Sequence, residues 1–427
     1  MTKNILSNTI SSKPTNGWKW VPSLYFAQGI PYVLVNTVSV ILYKKLGISN
    51  IEIAFYTSWL YLPWVIKPLW SPLVEFYKTN RYWIILLQFL TGLCILGVAY
   101  AIQLPMFLQI TLGLFWLVAF SSATHDIAAD GFYMQSLEQN KQAQFLGIRS
   151  TFFRAAMIIG QGILVMIAGY LEIKLQGLSG GIAQAWSITF ACIGIVFILF
   201  AIYHFFALPK VQATQSSPKQ LKEVAAGFSN TFISFFRKKG IGTAILFLLI
   251  YRFGEAQLVK LAAPFLLDKR IAGGLELSTS EVGFAYGTVG IIALTLGGIL
   301  GGIYSSKRHF KQVVFLMFLS INVPHLLYIL LAYFQPSNLY IINSFVAFEQ
   351  FGYGFGFTAY LLYMIHLSDG EHKTAHYAIC TGFMALSMMI PGLFSGWMQA
   401  QMGYKLFFAW VLVTMLPGYY IVMKVKD

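Results

Sequence analysis

Long apolar blocks, separated by short polar connections, constrain this 427-residue chain more than any other feature. A bilayer core requires roughly 20 apolar residues for one helical crossing. Because lipid cannot hydrogen-bond an exposed backbone, a spanning segment must be a helix or part of a closed barrel. The blocks are much longer than the ~10-residue alternating strands of a barrel. With 57% hydrophobic and 10% charged residues, the sequence predicts an all-α membrane protein.

The apolar blocks predict twelve membrane-spanning helices in two groups of six. The longest polar connection, 208–239, separates an N-terminal six-helix bundle (18–207, after a cytoplasmic tail at 1–17) from a C-terminal one (240–427). This layout resembles that of a major facilitator carrier. The predicted spans are 18–43, 51–75, 82–102, 106–136, 143–169, 184–207, 240–267, 279–304, 311–333, 339–367, 375–400 and 405–424.

The basic residues predict how the chain is oriented. The net charge of +14 does not indicate a nucleic-acid partner, because Lys and Arg fall at the ends of the predicted helices. Most of the 29 Lys and Arg residues lie on one side, which predicts that both termini are cytoplasmic. Lys44 and Lys45 oppose this rule locally. We expect a monomer in membrane lipid, with no cofactor and no metal site.

Ionisable residues inside the spans are the main candidates for function, since a charge at the bilayer centre costs about 2.5–3.5 kcal/mol on insertion scales. Asp126 and Asp130 are four residues apart in span 4 and share a helix face, with His125 beside them. Two carboxylates on one buried face predict either a proton-coupling site or a lock bonded to Arg149 or Arg154 of span 5. Glu349 in span 10 has no basic neighbour in sequence and is a further proton-coupling candidate.

Basic and aromatic residues predict a substrate site. Arg154 is the first choice to bind a substrate carboxylate and Arg252 the second, because arginine keeps its charge when buried and can bind a carboxylate bidentately. Glu255 is positioned to pair with Arg252, and Lys260 faces either the membrane interface or the centre. Tyr25, Gln28 and Tyr32 follow helical steps in span 1 and suit a sugar or a peptide; Lys67 of span 2 completes the set.

A charged segment after span 2 is a candidate gate. Two prolines kink this span near its inner end, and Glu75 ends it close to Lys78 and Arg81. The pattern fits either a gate between the two bundles or a solvated helix end.

Four segments resemble the AmpG-type muropeptide permeases: VIKPLWSPLVE at 65–75, FSSATHDIAADG at 120–131, IYRFGE at 250–255 and EVGFAYGTVG at 281–290. The resemblance implies a major facilitator fold and proton-driven import, during peptidoglycan recycling, of an anhydro-muropeptide across the bacterial inner membrane. The resemblance also implies that six positions of the family's motifs correspond to Lys67, Asp126, Asp130, Arg154, Arg252 and Glu255.

Two departures from the family pattern leave the substrate open. His125 replaces a glutamine, and the pair Glu75-Phe76 replaces an Asp-Arg pair. Another large polar solute, such as a siderophore, is the alternative substrate. A membrane-embedded acyltransferase using His125 with Asp126 is the alternative of another class, but the six-plus-six layout argues for a carrier rather than an enzyme.

Overall fold

The computed structural model describes residues 16–210 and 230–425, including all side chains there except those of Leu73, Glu75, Phe76, Gln139 and Ala143. Most of the predicted tail and most of the predicted central connection therefore lie outside the described residues. The first six helices are α1 (Gly17–Lys45), α2 (Asn50–Trp59 and Leu62–Phe76), α3 (Asn80–Ala101), α4 (Phe107–Ser136), α5 (Asn140–Lys174) and α6 (Gly181–Ala207).

The second group of helices follows the central connection. It consists of α7 (Ile241–Ile250 and Phe253–Leu267), α8 (Thr279–Ser305), α9 (Phe310–Phe334), α10 (Leu339–Leu367), α11 (Lys373–Val413) and α12 (Met415–Lys424). Below, α1–α6 are called the N-terminal half and α7–α12 the C-terminal half.

The helices confirm the predicted all-α membrane class. Within the described ranges, eight helical stretches are long and apolar enough to cross a membrane, and the last of them, Lys373–Lys424, covers two predicted spans. The helices α2 and α7 are interrupted, and α10 is continuous over 29 residues. All three coincide with predicted spans, and the number of twelve crossings stays a prediction.

Local sequence signals explain where several helices begin and bend. Ser49 and Glu52 form a capping box at the start of α2, and Ser278 and Glu281 form one at the start of α8. Gly403 has a φ of 72° inside α11, a left-handed conformation that glycine adopts without a steric penalty. The chain therefore changes direction there, between the two predicted spans 375–400 and 405–424.

The two halves meet along α2 with α11 and along α5 with α8, where glycines allow very close approach. A Cβ atom on Gly396 of α11 would lie 2.1 Å from the carbonyl oxygen of Asn50. A Cβ atom on Gly287 of α8 would lie 2.3 Å from the carbonyl carbon of Gln161 in α5. Both helices are π-helical at this crossing, over Ile158–Ile163 and Gly283–Gly290, a feature frequent at functional sites.

Candidate functional site

Asp126 of α4 is held by two side chains of α2. Lys67 places its Nζ atom 3.6 Å from the Asp126 Oδ2 atom, and the Trp64 indole Nε1 donates to the same oxygen at 3.2 Å. Gln28 of α1 is buried beside this carboxylate. The structure thus brings together three predicted site residues and adds Trp64, which the sequence did not single out.

Asp130, one turn further along α4, is paired with a different cation. The Arg149 Nη2 atom lies 2.6 Å from the Asp130 Oδ1 atom, and the Tyr25 hydroxyl donates to this oxygen at 3.1 Å. The Arg149 guanidinium group also stacks over the rings of Tyr25 and Tyr133, at 4.3 and 4.9 Å from their centroids. Of the two arginines that the sequence offered as partners, the structure selects Arg149.

His125 belongs to a separate buried chain of polar side chains. Its Nε2 atom accepts from Gln88 of α3 at 3.0 Å, the Gln88 Oε1 atom lies 2.8 Å from the Nδ1 atom of His204 in α6, and Ser23 of α1 lies 2.9 Å from the other nitrogen of His204. The chain joins four helices of the N-terminal half. His204 and Gln88 are polar groups in apolar blocks, which is the signal that could have found them in the sequence.

Arg252 is buried at the start of the second piece of α7, with 3% of its surface exposed. Its guanidinium group lies over the rings of Tyr353 and Phe357 of α10, at 5.1 and 4.6 Å, and donates to the Tyr353 hydroxyl. Within the described part of the chain, no carboxylate lies within ion-pair distance of Arg252, and its Nε atom has no hydrogen-bond partner. The expected direct pair with Glu255 does not form, although Glu255 is within electrostatic range.

Lys260 lies two turns further along α7 and reaches the other half of the molecule. It is 4% exposed, donates to the Thr57 Oγ1 atom of α2 at 3.0 Å and lies 5.4 Å from the ring centroid of Tyr61. Of the two predicted positions for Lys260, the structure shows the central one. As with Arg252, no ion pair to Lys260 occurs among the residues described.

Aromatic side chains of the N-terminal half complete this region. Tyr32 packs edge-on against Trp64 with ring centroids 5.3 Å apart. Tyr32 and Tyr61 are both close enough to Arg252 to interact with its charge. We call Arg252, Lys260, Tyr32, Tyr61 and Trp64 the central basic site. It draws on both halves, and Trp64 connects it to Asp126.

Arg154, the first choice from the sequence, lies elsewhere. It is partly buried on α5, where its Nη2 atom would be 3.5 Å from a Cβ atom on Gly298 of α8. Its Nη1 atom is buried and has no hydrogen-bond partner in residues 16–210 or 230–425. Arg154 is therefore placed at the contact between α5 and α8 rather than beside Asp126 or Asp130.

The predicted acids of the C-terminal half lie in a fully buried cluster. Glu255 is paired with His325 of α9, whose Nε2 atom lies 3.1 Å from the Glu255 Oε2 atom. Glu349 of α10 accepts from the neighbouring Gln350 amide at 3.0 Å and is within electrostatic range of Glu255. His325 was missed from the sequence, although it is an ionisable residue within predicted span 9.

The three gate candidates do not show a joint contact. Arg81 donates to the carbonyl oxygens of Leu208 and Phe205 at the end of α6, and therefore binds within its own half. Lys78 lies 6.0 Å from the ring centroid of Tyr82, and the side chain of Glu75 lies outside the described set. A gate built from these three residues stays a prediction.

An ion pair joins the two halves at the end of the molecule opposite to the gate candidates. Lys44 lies 2.6 Å from Asp268 at the end of α7, and the same carboxylate accepts from Asn50 of α2 and Tyr404 of α11. We call Lys44, Asp268, Asn50 and Tyr404 the latch. Among the ion pairs of the described residues, Lys44–Asp268 is the one that joins the two halves.

Lys45, beside the latch, is also paired. It lies 3.1 Å from Glu172 at the end of α5, and Thr279 of α8 donates to this carboxylate at 2.7 Å. The two lysines that oppose the charge rule in the sequence are therefore both neutralised by local carboxylates.

A family model described as Major Facilitator Superfamily matches residues 23–392. The chain belongs to the Major Facilitator Superfamily. It is a multi-pass inner-membrane transporter rather than an enzyme, as the sequence predicted.

Relatives within this superfamily agree with the resemblance seen in the motifs. A putative transporter AmpG 4 of Rickettsia conorii is 24% identical over 417 residues, covering 94% of each chain. The anhydromuropeptide permease of Escherichia coli K12 is 23% identical over 403 residues, covering 92% of this chain and 77% of the permease. The similarity to AmpG-type permeases thus extends over nearly the whole chain.

Solved structures confirm the major facilitator fold. A bacterial homologue of the human lysosomal transporter Spinster, in an inward-facing and unoccupied conformation, matches with a TM-score of 0.68 at 16% identity, covering 97% of this chain and 96% of that chain. A D-xylose–proton symporter matches with a TM-score of 0.70 at 12% identity, covering 95% and 96%. At these identities the likeness establishes the fold alone.

Proposed function

We propose that this major facilitator carrier imports an anhydro-muropeptide, or a related amino-sugar compound, into the cytoplasm together with protons. The central basic site carries the proposal. Its two buried basic side chains, Arg252 and Lys260, contact hydroxyl groups and aromatic rings in the described structure. Neither basic side chain has a carboxylate partner among the described residues. A muramyl compound provides carboxylates for them, and its sugar rings can pack on the aromatic side chains.

The chemistry of each group supports this assignment. A guanidinium group can bind a carboxylate through two parallel hydrogen bonds, and a buried charge without a counter-ion is costly in the membrane. A substrate carboxylate therefore compensates a cost that the empty carrier bears. The rings of Tyr32, Tyr61 and Trp64 offer apolar faces and polar tips suited to sugar rings.

The position of the site between the halves supports transport by alternating access. Lys260 of α7 bonds Thr57 of α2, so the site changes shape when the two halves move. The closed latch and the predicted orientation together favour a carrier closed to the outside, with both termini and the central connection in the cytoplasm. The relatives described as AmpG transporters and an anhydromuropeptide permease support the substrate class.

Binding measurements on the purified carrier test the substrate. Titration calorimetry would compare an anhydro-muropeptide, the same compound with its carboxylates amidated, a ferric siderophore and a dipeptide. We expect the acidic muropeptide to bind most tightly and amidation to weaken it at least ~10-fold, corresponding to ~1.4 kcal/mol for a lost charge-assisted contact. Preferential binding of the siderophore would replace the muropeptide with the alternative substrate, and equal binding of acid and amide would refute a role for the central cations.

A further inference from the structure

Glu255, His325 and Glu349 come from three helices of the C-terminal half and are each 0% exposed. Glu255 hydrogen-bonds His325, and Glu349 accepts from Gln350. One atom of each group has no hydrogen-bond partner among the residues that the structure describes: the Oε1 atoms of both glutamates and the Nδ1 atom of His325. A buried polar atom without a partner is costly. Each of these three atoms could therefore be stabilised by binding a proton or by forming a further hydrogen bond.

Tyrosine side chains and one arginine lie within electrostatic range of this cluster. Tyr286 of α8 and Tyr328 of α9 are electrostatic neighbours of both glutamates, and the Tyr286 hydroxyl accepts from Gln350. The Tyr353 hydroxyl of α10 accepts from Arg252, and Tyr353 is within electrostatic range of both glutamates. Arg252 is within electrostatic range of Glu255. With both carboxylates ionised and a neutral imidazole, the cluster and Arg252 together carry one net negative charge, and one added proton makes them neutral.

We propose that the Glu255–His325–Glu349 cluster binds the coupling proton, and that Arg252 links this proton to the carboxylate of the substrate. The assignment rests on the proposed function and adds to it the site and the cause of coupling. It keeps Glu349, a coupling candidate from the sequence, and departs from the prediction that Asp126 and Asp130 are the leading ones. In the structure each of these has a cation within 4 Å, Lys67 and Arg149.

Coupling follows from the double role of Arg252. In the empty carrier its charge partly compensates Glu255 and Glu349. When a substrate carboxylate binds to Arg252, this compensation is shared with a third anion and the net charge falls to minus two. An O–H bond to one glutamate oxygen returns it to the minus one of the empty carrier. The proton comes from water on the outer side, and it returns to cytoplasmic water when that O–H bond breaks after substrate release. Because linkage is reciprocal, proton and substrate favour each other's binding and cross together.

Proton uptake during binding provides the test. Calorimetry of the full-length carrier with an anhydro-muropeptide, in buffers that differ in ionisation enthalpy, gives the number of protons taken up with each ligand. We expect about one proton per ligand for the parent, because one proton offsets the charge of the added carboxylate and linkage couples the two binding events. Glu255→Gln and Glu349→Gln should each bind the ligand with little or no proton uptake. The matched control is Glu276→Gln, an exposed carboxylate of the same half, which should behave as the parent.

The proton uptake of the variants distinguishes the C-terminal cluster from the aspartates of α4 as the proton site. Proton uptake that persists in both glutamine variants would refute the cluster, and its loss in Asp126→Asn or Asp130→Asn instead would place the proton in the N-terminal half. Infrared spectroscopy of the ligand-free parent provides a second measurement that does not depend on the substrate. A carbonyl band of a protonated, buried carboxyl group should grow in the parent as the pH is lowered and stay absent in Glu349→Gln.

The two measurements also separate this inference from the proposed function. If the muropeptide does not bind the parent at all, the proposed substrate is wrong while the infrared band still tests the cluster. If the muropeptide binds and no such band grows in the parent as the pH is lowered, the proposed substrate stands and the cluster is refuted. Thermal unfolding of every variant verifies that it is folded.

Discussion

Arg252 differs from the cations of the N-terminal half in the kind of partner it has. Lys67 and Arg149 each bind an aspartate of α4, whereas Arg252 lies on aromatic rings. A guanidinium group stacked in this way keeps a planar edge for a ligand. This difference moves Arg252 ahead of Arg154, which the sequence ranked first, because Arg154 is at the α5–α8 contact.

The substitution Arg252→Lys tests whether the guanidinium group of Arg252 binds the substrate carboxylate. We expect it to weaken binding of the acidic muropeptide at least ~10-fold, since a lysine loses the bidentate contact, worth ~1.4 kcal/mol or more. Binding of the amidated analogue should change little. Calorimetry with both ligands provides the measurement, and Arg154→Lys is the matched comparison. Equal losses for the two ligands in Arg252→Lys would make Arg252 a structural residue.

Partners at the residue scale were only partly predictable. A charge in an apolar block is visible in the sequence because it is costly there, and this found Asp126, Arg252, Lys260 and Glu349. Which groups pair depends on helices far apart in the chain, so the Asp126–Lys67 pair did not follow from spacing. The Arg252–Glu255 pair followed from spacing but does not form, because the Glu255 carboxylate is turned towards His325.

Helices α5 and α8, which belong to opposite halves, pack very closely at Gly287 of α8. A methyl group on Gly287 would lie 2.3 Å from the Gln161 carbonyl carbon. Gly287→Ala must therefore push the halves apart, at the cost of about 1–3 kcal/mol usual for overpacking. We expect the transport rate to fall ~10-fold or more. Gly302→Ala on the same helix, where a Cβ atom meets nothing within 4 Å, should transport like the parent.

Transport assays on Gly287→Ala need a check on folding. Size-exclusion chromatography and thermal unfolding of both glycine variants show whether the protein is intact. Parent-like transport by a folded Gly287→Ala would mean that this crossing need not stay closed during the cycle.

The latch should control which end of the carrier is open. Its Lys44 and Asp268 side chains are mostly buried, at 15% and 18% exposure, so Lys44→Met removes a cross-half contact worth about 1 kcal/mol, or a ~5-fold change in population. Spin labels at the exposed positions Ser179 and Ile271 report the separation of the halves at this end. We expect longer distances to gain population in double electron–electron resonance.

A second ion pair provides the control for the latch. Lys373 binds Asp369 within the C-terminal half at 3.2 Å, and this hydrogen bond holds the pKa of the exposed Asp369 carboxyl below its ordinary value. Lys373→Ala should leave the distance distribution unchanged. A Lys44→Met distribution that matches the parent would show that the ion pair does not hold this end closed.

At the scale of the whole molecule, the orientation of the chain in the membrane is the prediction on which the proposed direction of transport depends. The chain with Cys94, Cys192 and Cys380 replaced by alanine would receive a single cysteine at one of two exposed positions. These are Lys239, the last residue of the central connection, and Ser179, at the opposite end of the molecule. We expect an impermeant maleimide added to intact spheroplasts to label the cysteine at 179, and the one at 239 only after permeabilisation. The reverse pattern would invert the proposed orientation.

Architecture was more predictable than chemistry. Apolar block length predicts helices because lipid leaves the backbone few alternatives, and the predicted spans coincide with the described helices. The π-helical segments of α5 and α8 were not foreseen, because they lie where the two halves pack together. The break between Trp59 and Leu62 was not foreseen either, although Pro63 is a local signal for it, since proline cannot bond to the carbonyl group of Trp59. The latch and the neighbouring Lys45–Glu172 pair were also missed, since Asp268 and Glu172 lie at helix ends where a charge is not costly.

Proton-driven accumulation of an anhydro-muropeptide tests the central claim most directly. Purified carrier in liposomes, with the outside more acidic than the lumen, should concentrate the labelled compound above its external level. A protonophore should abolish the accumulation, while exchange of labelled for unlabelled compound continues. Gly302→Ala should match the parent, and liposomes without protein should take up nothing. Uptake that is absent, or that only equilibrates whatever the pH gradient, would contradict a proton-coupled muropeptide importer.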